Sequence, residues 1–74
     1  MNRQIKDDIF NIQTRLFRLF QVKENLSPED TTTIFKKYDL FSYIETCYEE
    51  YHVQGDETNL KDLYKYLKNR GWSK

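Results

Sequence analysis

The sequence has few of the residues that cross-link or interrupt a polypeptide chain. Its 74 residues include one cysteine, one proline and two glycines. A single cysteine cannot close a disulfide within the chain, and so little glycine and proline excludes a collagen-like chain and argues against a turn-rich β fold. No apolar run approaches the roughly eighteen residues that a membrane-spanning helix needs, and residues 1–4 lead into amphipathic sequence without the apolar segment of a secretory signal. We therefore expect a soluble globular protein of the cytoplasm that contacts no membrane.

The chain is short, and its hydrophobic residues are bulky. Alanine is absent, whereas there are five phenylalanines, six tyrosines and one tryptophan. A chain of this length makes one small domain, predicted to span residues 1–74, and its core must consist of a few large side chains. A domain below about 80 residues rarely gains more than about 3–5 kcal/mol from one core. We therefore expect help from a partner protein or from a second copy of the chain.

The first third of the chain has the apolar repeat of a helix. Isoleucine and leucine recur there at steps of three and four residues, at Ile5, Ile9, Ile12, Leu16 and Leu19. This spacing places them on one face of an α-helix. The pattern predicts a helix over residues 3–24.

Three phenylalanines widen this apolar face. Phe20 joins the stripe, whereas Phe10 and Phe17 lie seven residues apart on its flank, about 100° or more from its centre. The apolar arc then covers about half of the helix circumference, which is more than one neighbouring helix usually covers. An exposed apolar patch of this kind is typical of an interface. Phe10, Phe17 and Phe20 are therefore the predicted protein interface, used in a homo-oligomer or with a partner protein.

Capping signals divide the next part of the chain into two shorter helices. Ser27, followed by proline and two acidic residues, predicts a helix over 28–37. Asp39 can cap a further helix, for which apolar residues recur over 40–53. Gly55 suits the left-handed position that closes it.

The last helix has its own start and stop signals. Asn59 can cap it, with Asp62 three residues later, and Gly71 can end it. Trp72 is expected to fold back onto the bundle. The sequence therefore predicts an all-α fold, a small helical bundle with one long N-terminal helix and three shorter helices.

Residues with catalytic or metal-binding chemistry are few. Cys47 lies on the apolar face of the third helix, where a thiol packs as a small hydrophobic group. His52 lies near the end of that helix, which suits a capping role. A metal site needs three or four ligands at a recognisable spacing, and Glu45 and Glu49 fit a solvated acidic face better. We therefore predict no catalytic residue, no metal ligand and no cofactor, and hence no enzyme.

The charges cancel overall but are unevenly distributed. Residues 1–26 have a net charge of +2, residues 27–59 of −6 and residues 60–74 of +4. One arrangement places the basic last helix beside the acidic middle of the chain, so that the two fields cancel. The other leaves two patches of opposite sign that face a partner.

The basic last helix also supports an alternative function. Lys61, Lys65 and Lys68 form one cationic stripe, followed by Arg70, with aromatic residues among them. These four residues would contact nucleic acid. A nucleic-acid-binding domain is usually strongly basic, however, and this chain has a net charge of zero. Nucleic-acid binding is therefore the alternative, and a protein partner the leading hypothesis.

Four segments between residues 26 and 71 follow one another in a recognisable order. They are LSPE at 26–29, FKKYDL at 35–40 with YI at 43–44, YEEYHVQG at 48–55 and LKDLYKYL at 60–67. Together they resemble a family of short bacterial all-α proteins classed as a domain of unknown function, although Tyr51 stands where the family usually has an aliphatic residue. Members of that family look like companions of a neighbouring gene product that is similar to ADP-ribosyltransferase toxins. The resemblance therefore implies a partner-binding or antitoxin-like role, and it carries over no catalytic residue.

Overall fold

Five helices and the turns between them make up the structure. The computed structural model describes residues 3–73, in which no residue belongs to a strand and no helix has the length and apolar character that a membrane crossing requires. The predicted all-α fold with one long N-terminal helix is confirmed, and so are the predicted bounds of the first two helices. The helices are α1 (Arg3–Glu24), α2 (Pro28–Lys37), α3 (Leu40–Thr46), α4 (Tyr48–Tyr51) and α5 (Asp56–Asn69).

The predicted helix over residues 40–53 is divided in two at Cys47. Cys47 has φ −88° and ψ 8°, and four shorter helices follow α1 instead of three. The main chain stays hydrogen-bonded through the bend, because Cys47 N–H donates to Tyr43 O at 3.0 Å and Tyr51 N–H donates to Cys47 O at 2.8 Å. The bend redirects α4, so that the Tyr51 side chain enters the core with 3% of its surface exposed.

The two longest helices end in the same hydrogen-bonded turn. After α1, Asn25 adopts a left-handed conformation with φ 55°, and Leu26 N–H donates back to α1 at 3.0 Å. After α5, Gly71 adopts the left-handed conformation with φ 94°, and the main-chain N–H of Trp72 donates to Leu67 O at 2.9 Å. This is the Schellman motif, in which an apolar residue after the left-handed one packs back on the helix. It produces the predicted return of Trp72 onto the bundle.

Three local predictions are wrong. Asp39 makes no side-chain cap and instead takes a left-handed φ of 55° after α2. Gly55 has a φ of −73°, which is not left-handed, and it is the extended residue before α5. Asn59 does not cap α5, because the helix begins earlier, at Asp56. It is buried within α5, where its Nδ2 donates a 3.0 Å hydrogen bond to Tyr51 O.

The core lies between α1 and the three helices that pack on it, α2, α3 and α5. Burying a leucine, isoleucine or phenylalanine side chain contributes about 1.5–3 kcal/mol relative to leaving it exposed. A small set of such side chains therefore supplies most of the hydrophobic stabilisation. Those with no more than 1% of their surface exposed are Leu16, Phe20, Phe35, Leu40, Ile44, Leu63 and Leu67.

Helices α1 and α5 run side by side in the same direction. Arg15 forms a 3.1 Å salt bridge with Asp56 at the start of α5. Glu24, at the end of α1, accepts a hydrogen bond from the hydroxyl of Tyr64, further along α5. The last turn of α1 therefore lies beside the basic second half of α5.

Candidate functional site

The three phenylalanines predicted as an interface lie in different environments. Phe10 is 65% exposed. Phe17 is half-buried and packs edge-on against Phe35, with ring centroids 5.0 Å apart. Phe20 is fully buried, and its ring contacts Tyr64 of α5. The placement of Phe20 at a surface is therefore wrong, because α2 and α5 cover it.

An exposed aromatic strip remains on α1 and α3. Phe41 is 37% exposed and stacks on Phe17, with centroids 6.1 Å apart and 13° between the ring planes. Gln13 Nε2 donates to Phe41 O at 2.9 Å and so ties the start of α3 to α1. Phe10 lies two turns, about 10 Å, before Phe17 on the same side of α1. We refer to Phe10, Phe17 and Phe41 as the aromatic strip. The apolar periodicity of α1 could not predict Phe41, because Phe41 belongs to α3.

Other exposed apolar side chains lie apart from the aromatic strip. Val22 is 78% exposed and Leu19 40% exposed. At 100° per residue, however, they lie about 120° and about 180° round α1 from Phe10. Val53, 73% exposed, follows α4. Single exposed apolar residues are ordinary in globular proteins, whereas the aromatic strip gathers three rings along one side of the molecule.

A basic groove lies where the end of α1 meets the second half of α5. Its volume is about 570 Å³. Lys23 Nζ lies 5.0 Å from the centroid of the Tyr64 ring, which is within range of a cation–π interaction. We refer to this cavity as the basic groove; it is lined by Lys23, Lys61, Tyr64, Lys68, Trp72 and Ser73.

The structure brings together two of the four residues predicted to contact nucleic acid. Lys61 and Lys68 line the basic groove. Lys65 is exposed but does not line the groove, and the Arg70 guanidinium lies 5.5 Å from the centroid of the Tyr66 ring. The groove instead takes its third lysine from the last turn of α1. A basic residue there is already explained by the helix dipole, so the sequence offered no signal for this role.

No salt bridge within residues 3–73 joins the positive charge near the groove to the acidic middle of the chain. Within residues 3–73, no basic side chain of the segment 61–70 forms a salt bridge with an acidic residue of 27–59. Within residues 3–73, the acidic segment instead forms a salt bridge with α1, between Asp56 and Arg15. The described residues therefore contain no ion pair between the two oppositely charged segments.

Two tyrosine hydroxyls converge on one carboxylate. Tyr43 and Tyr51 donate to Asp62 Oδ2 at 2.8 and 2.6 Å and tie α3 and α4 to α5. Burial, followed by the hydrogen bond to Asp62, raises the pKa of both hydroxyls, so they remain protonated donors. These side chains line a cavity of about 410 Å³ together with Cys47, and burial raises the pKa of the Cys47 thiol. A protonated thiol is a poor nucleophile, so these contacts are those of a structural cluster.

The histidine lies apart from this cluster. His52 is exposed, and its ring stacks on Tyr48 with centroids 4.7 Å apart. Across residues 3–73, no three side chains of His, Cys, Asp or Glu are grouped so that they could hold a metal ion. The aromatic strip and the basic groove are therefore the two candidate sites.

One protein-family model matches most of the chain. The family is described as "Protein of unknown function (DUF3791)", and the match covers residues 13–70. The chain belongs to this family. No curated protein and no solved structure matches it.

The DUF3791 match includes most of both surfaces. It begins at Gln13, earlier than the resemblance recognised over 26–71, and so takes in about three turns of α1. Phe17 and Phe41 lie within it, as do the three lysines of the basic groove, whereas Phe10 precedes it. The family description assigns no activity, so function must be argued from the surfaces themselves.

Proposed function

We propose that this protein is a non-enzymatic interaction module that pairs with a second copy of itself through the aromatic strip. The observation that supports this most is the 65% exposure of Phe10 beside the stacked rings of Phe17 and Phe41. Removing apolar surface from water contributes roughly 25 cal/mol per Å². Covering these rings with a second molecule therefore favours association.

The order of residues along α1 suits pairing with a second copy. Arg3, Phe10, Phe17 and Glu24 recur at intervals of seven residues and so share one side of the helix. If two α1 helices lie antiparallel about a two-fold axis midway between Phe10 and Phe17, each Phe10 faces Phe17 of the other copy. Arg3 then lies opposite Glu24 of the other copy, whose carboxylate also accepts the Tyr64 hydroxyl within its own chain. This self-complementarity is what a symmetric dimer requires.

The non-enzymatic part of the proposal rests on how the reactive side chains are used. Asp62 accepts two tyrosine hydroxyls, and burial raises the pKa of the Cys47 thiol. The His52 ring stacks on Tyr48. A free thiol at Cys47 also suits the reducing conditions of the cytoplasm, which we propose as the compartment.

The substitution Phe10→Lys tests the proposal. Sedimentation velocity should show a wild-type dimer that dissociates on dilution and a Phe10→Lys variant that is monomeric. Val22→Lys is the matched control, because it adds the same charge at an exposed position on another side of the same helix. It should sediment as the wild type does.

Two outcomes would contradict self-pairing. The first is a wild-type protein that is monomeric at every concentration. The second is a monomer that binds a different purified protein in a Phe10-dependent manner, as the antitoxin-like role expected from the sequence resemblance would require. That result would show that the aromatic strip binds the other protein and not a second copy of this chain.

The alternative function, nucleic-acid binding, is supported by the basic groove. The aromatic strip and the basic groove have no residue in common. The two functions therefore do not compete for one surface, and each is tested by its own variants.

A further inference from the structure

Three lysines from two helices converge on the basic groove. Lys23 comes from the last turn of α1, and Lys61 and Lys68 lie two turns apart on one side of α5. All three side chains are exposed, and among the described residues no acidic side chain lines the groove. The side chains that line the groove therefore carry positive charge only, and the Glu24 carboxylate lies beside them as the acceptor of the Tyr64 hydroxyl.

Trp72 is held as a fixed aromatic wall of this groove. Its main-chain N–H donates to Leu67 O at 2.9 Å, and its ring packs on Phe20 and Tyr64 with centroids 5.7 and 5.8 Å away. Its remaining surface borders both the basic groove and an adjoining cavity of about 460 Å³ that extends to Leu26. A ring restrained in this way loses little conformational freedom when a ligand stacks on it.

A ligand that uses all of these features needs a flat ring and negative charge. An acidic peptide without aromatic residues matches the lysines but brings no ring to Trp72, and an apolar helix matches Trp72 but leaves the lysines unpaired. A nucleotide has both groups, because its base can stack on an aromatic side chain while lysines bind the phosphate. The volume of about 570 Å³ lies within the range of small-ligand sites, about 300–1,000 Å³. The adjoining cavity gives room for the next unit of a strand, and both Lys23 and Glu24 are in its lining.

We propose that the basic groove binds single-stranded nucleic acid, with a base stacked on Trp72 and backbone phosphates bound by Lys23, Lys61 and Lys68. This site differs from the stripe predicted from the sequence, because it includes Lys23 and excludes Lys65 and Arg70. It is independent of the proposed dimer, which uses the aromatic strip.

The tryptophan itself provides the measurement. Trp72 is the one tryptophan of the sequence, so its fluorescence reports stacking at this site directly. Titration of the full chain with a short oligothymidylate should quench that fluorescence. With three phosphate contacts, the logarithm of affinity should fall against the logarithm of salt concentration with a slope of about −2. The affinity should therefore drop roughly 20-fold between about 50 and 200 mM salt.

Two double variants distinguish binding in the basic groove from a non-specific effect of positive charge. Lys61→Gln with Lys68→Gln leaves one groove lysine, so the slope should fall to about −0.7, or roughly threefold over the same salt range. Lys6→Gln with Lys36→Gln removes the same charge from exposed lysines outside the groove and should keep the wild-type slope. Circular dichroism checks that both variants remain helical.

Several results would overturn the proposal. One is unchanged Trp72 fluorescence with every oligonucleotide, and another is an equal salt slope for the two double variants. Displacement of the oligonucleotide by a polyglutamate peptide as readily as by more oligonucleotide would assign the groove to an acidic protein segment. A mononucleotide that binds as tightly as the oligomer would exclude a strand as the ligand.

Discussion

The hydroxyl of Tyr51 donates a 2.6 Å hydrogen bond to Asp62, and this contact joins α4 to α5. Tyr43 of α3 donates to the same carboxylate oxygen at 2.8 Å. Three helices therefore meet at one acceptor. The capping pattern predicts Asp62 only as an N-terminal residue of the last helix. Its role as a shared acceptor depends on the tertiary structure.

Removing this acceptor should destabilise the fold. Asp62→Ala should lower the free energy of unfolding by about 1–3 kcal/mol, because two partly buried hydroxyls lose their partner. Tyr66→Phe is the control, since the Tyr66 ring stacks on Tyr43 at 3.7 Å while its hydroxyl forms no hydrogen bond within residues 3–73. It should change stability by less than about 0.5 kcal/mol. Urea unfolding followed by circular dichroism measures both, and equal losses would contradict the role given to Asp62.

Stability should also fall at alkaline pH. Burial, together with a hydrogen bond to a carboxylate, raises the pKa of Tyr43, Tyr51 and Tyr64 above the ordinary value of 10.0. The unfolded chain releases these protons near pH 10, whereas the folded protein retains them, so stability is fully present below that pH and is lost as the pH rises beyond it. Urea midpoints measured on both sides of pH 10 should show this decline. A profile that stays flat into the alkaline range would disagree with it.

Phe20 and Phe10 lie on one helix but should respond differently to truncation. Phe20→Ala should cost about 3–5 kcal/mol, which is comparable with the stability that one small core supplies, and should leave much of the protein unfolded. Phe20→Leu should fold with a lower thermal midpoint. Phe10→Ala, studied at low protein concentration, should change stability by no more than about 0.5 kcal/mol. A large loss for Phe10→Ala under these conditions would mean that Phe10 packs within its own chain.

The Cys47 thiol should react slowly in the folded protein. Burial raises its pKa, so little thiolate is present at neutral pH. A thiol-specific reagent should label the native protein more slowly than the urea-unfolded chain at the same pH. Similar rates in the two states would show that the half-buried position gives no protection.

Helix boundaries were predictable where the signal is local. Ser27 caps α2 as expected, and its Oγ accepts a 3.0 Å hydrogen bond from Asp30 N–H. One error occurs where a contact with another helix decides the outcome. Asn59 has the chemistry of a cap, but its amide is used inside α5 to bind Tyr51 O.

The two surfaces could be predicted only in part. Angular position on α1 separated Phe10 from the core, but the burial of Phe20 depends on rings far along the chain, such as Trp72. Likewise, Lys23 joins Lys61 in one groove because α1 and α5 run in the same direction. Periodicity within a helix does not specify that relation between helices.

Isotope-filtered nuclear Overhauser spectroscopy on a mixture of labelled and unlabelled protein tests the pairing of α1 helices most directly. At concentrations that support the dimer, Phe10 ring protons should show intermolecular effects to the rings of Phe17 and Phe41 of the second copy. Val22 should show none. Intermolecular effects at Val22 in place of Phe10, or no intermolecular effects at any concentration, would contradict association through the aromatic strip.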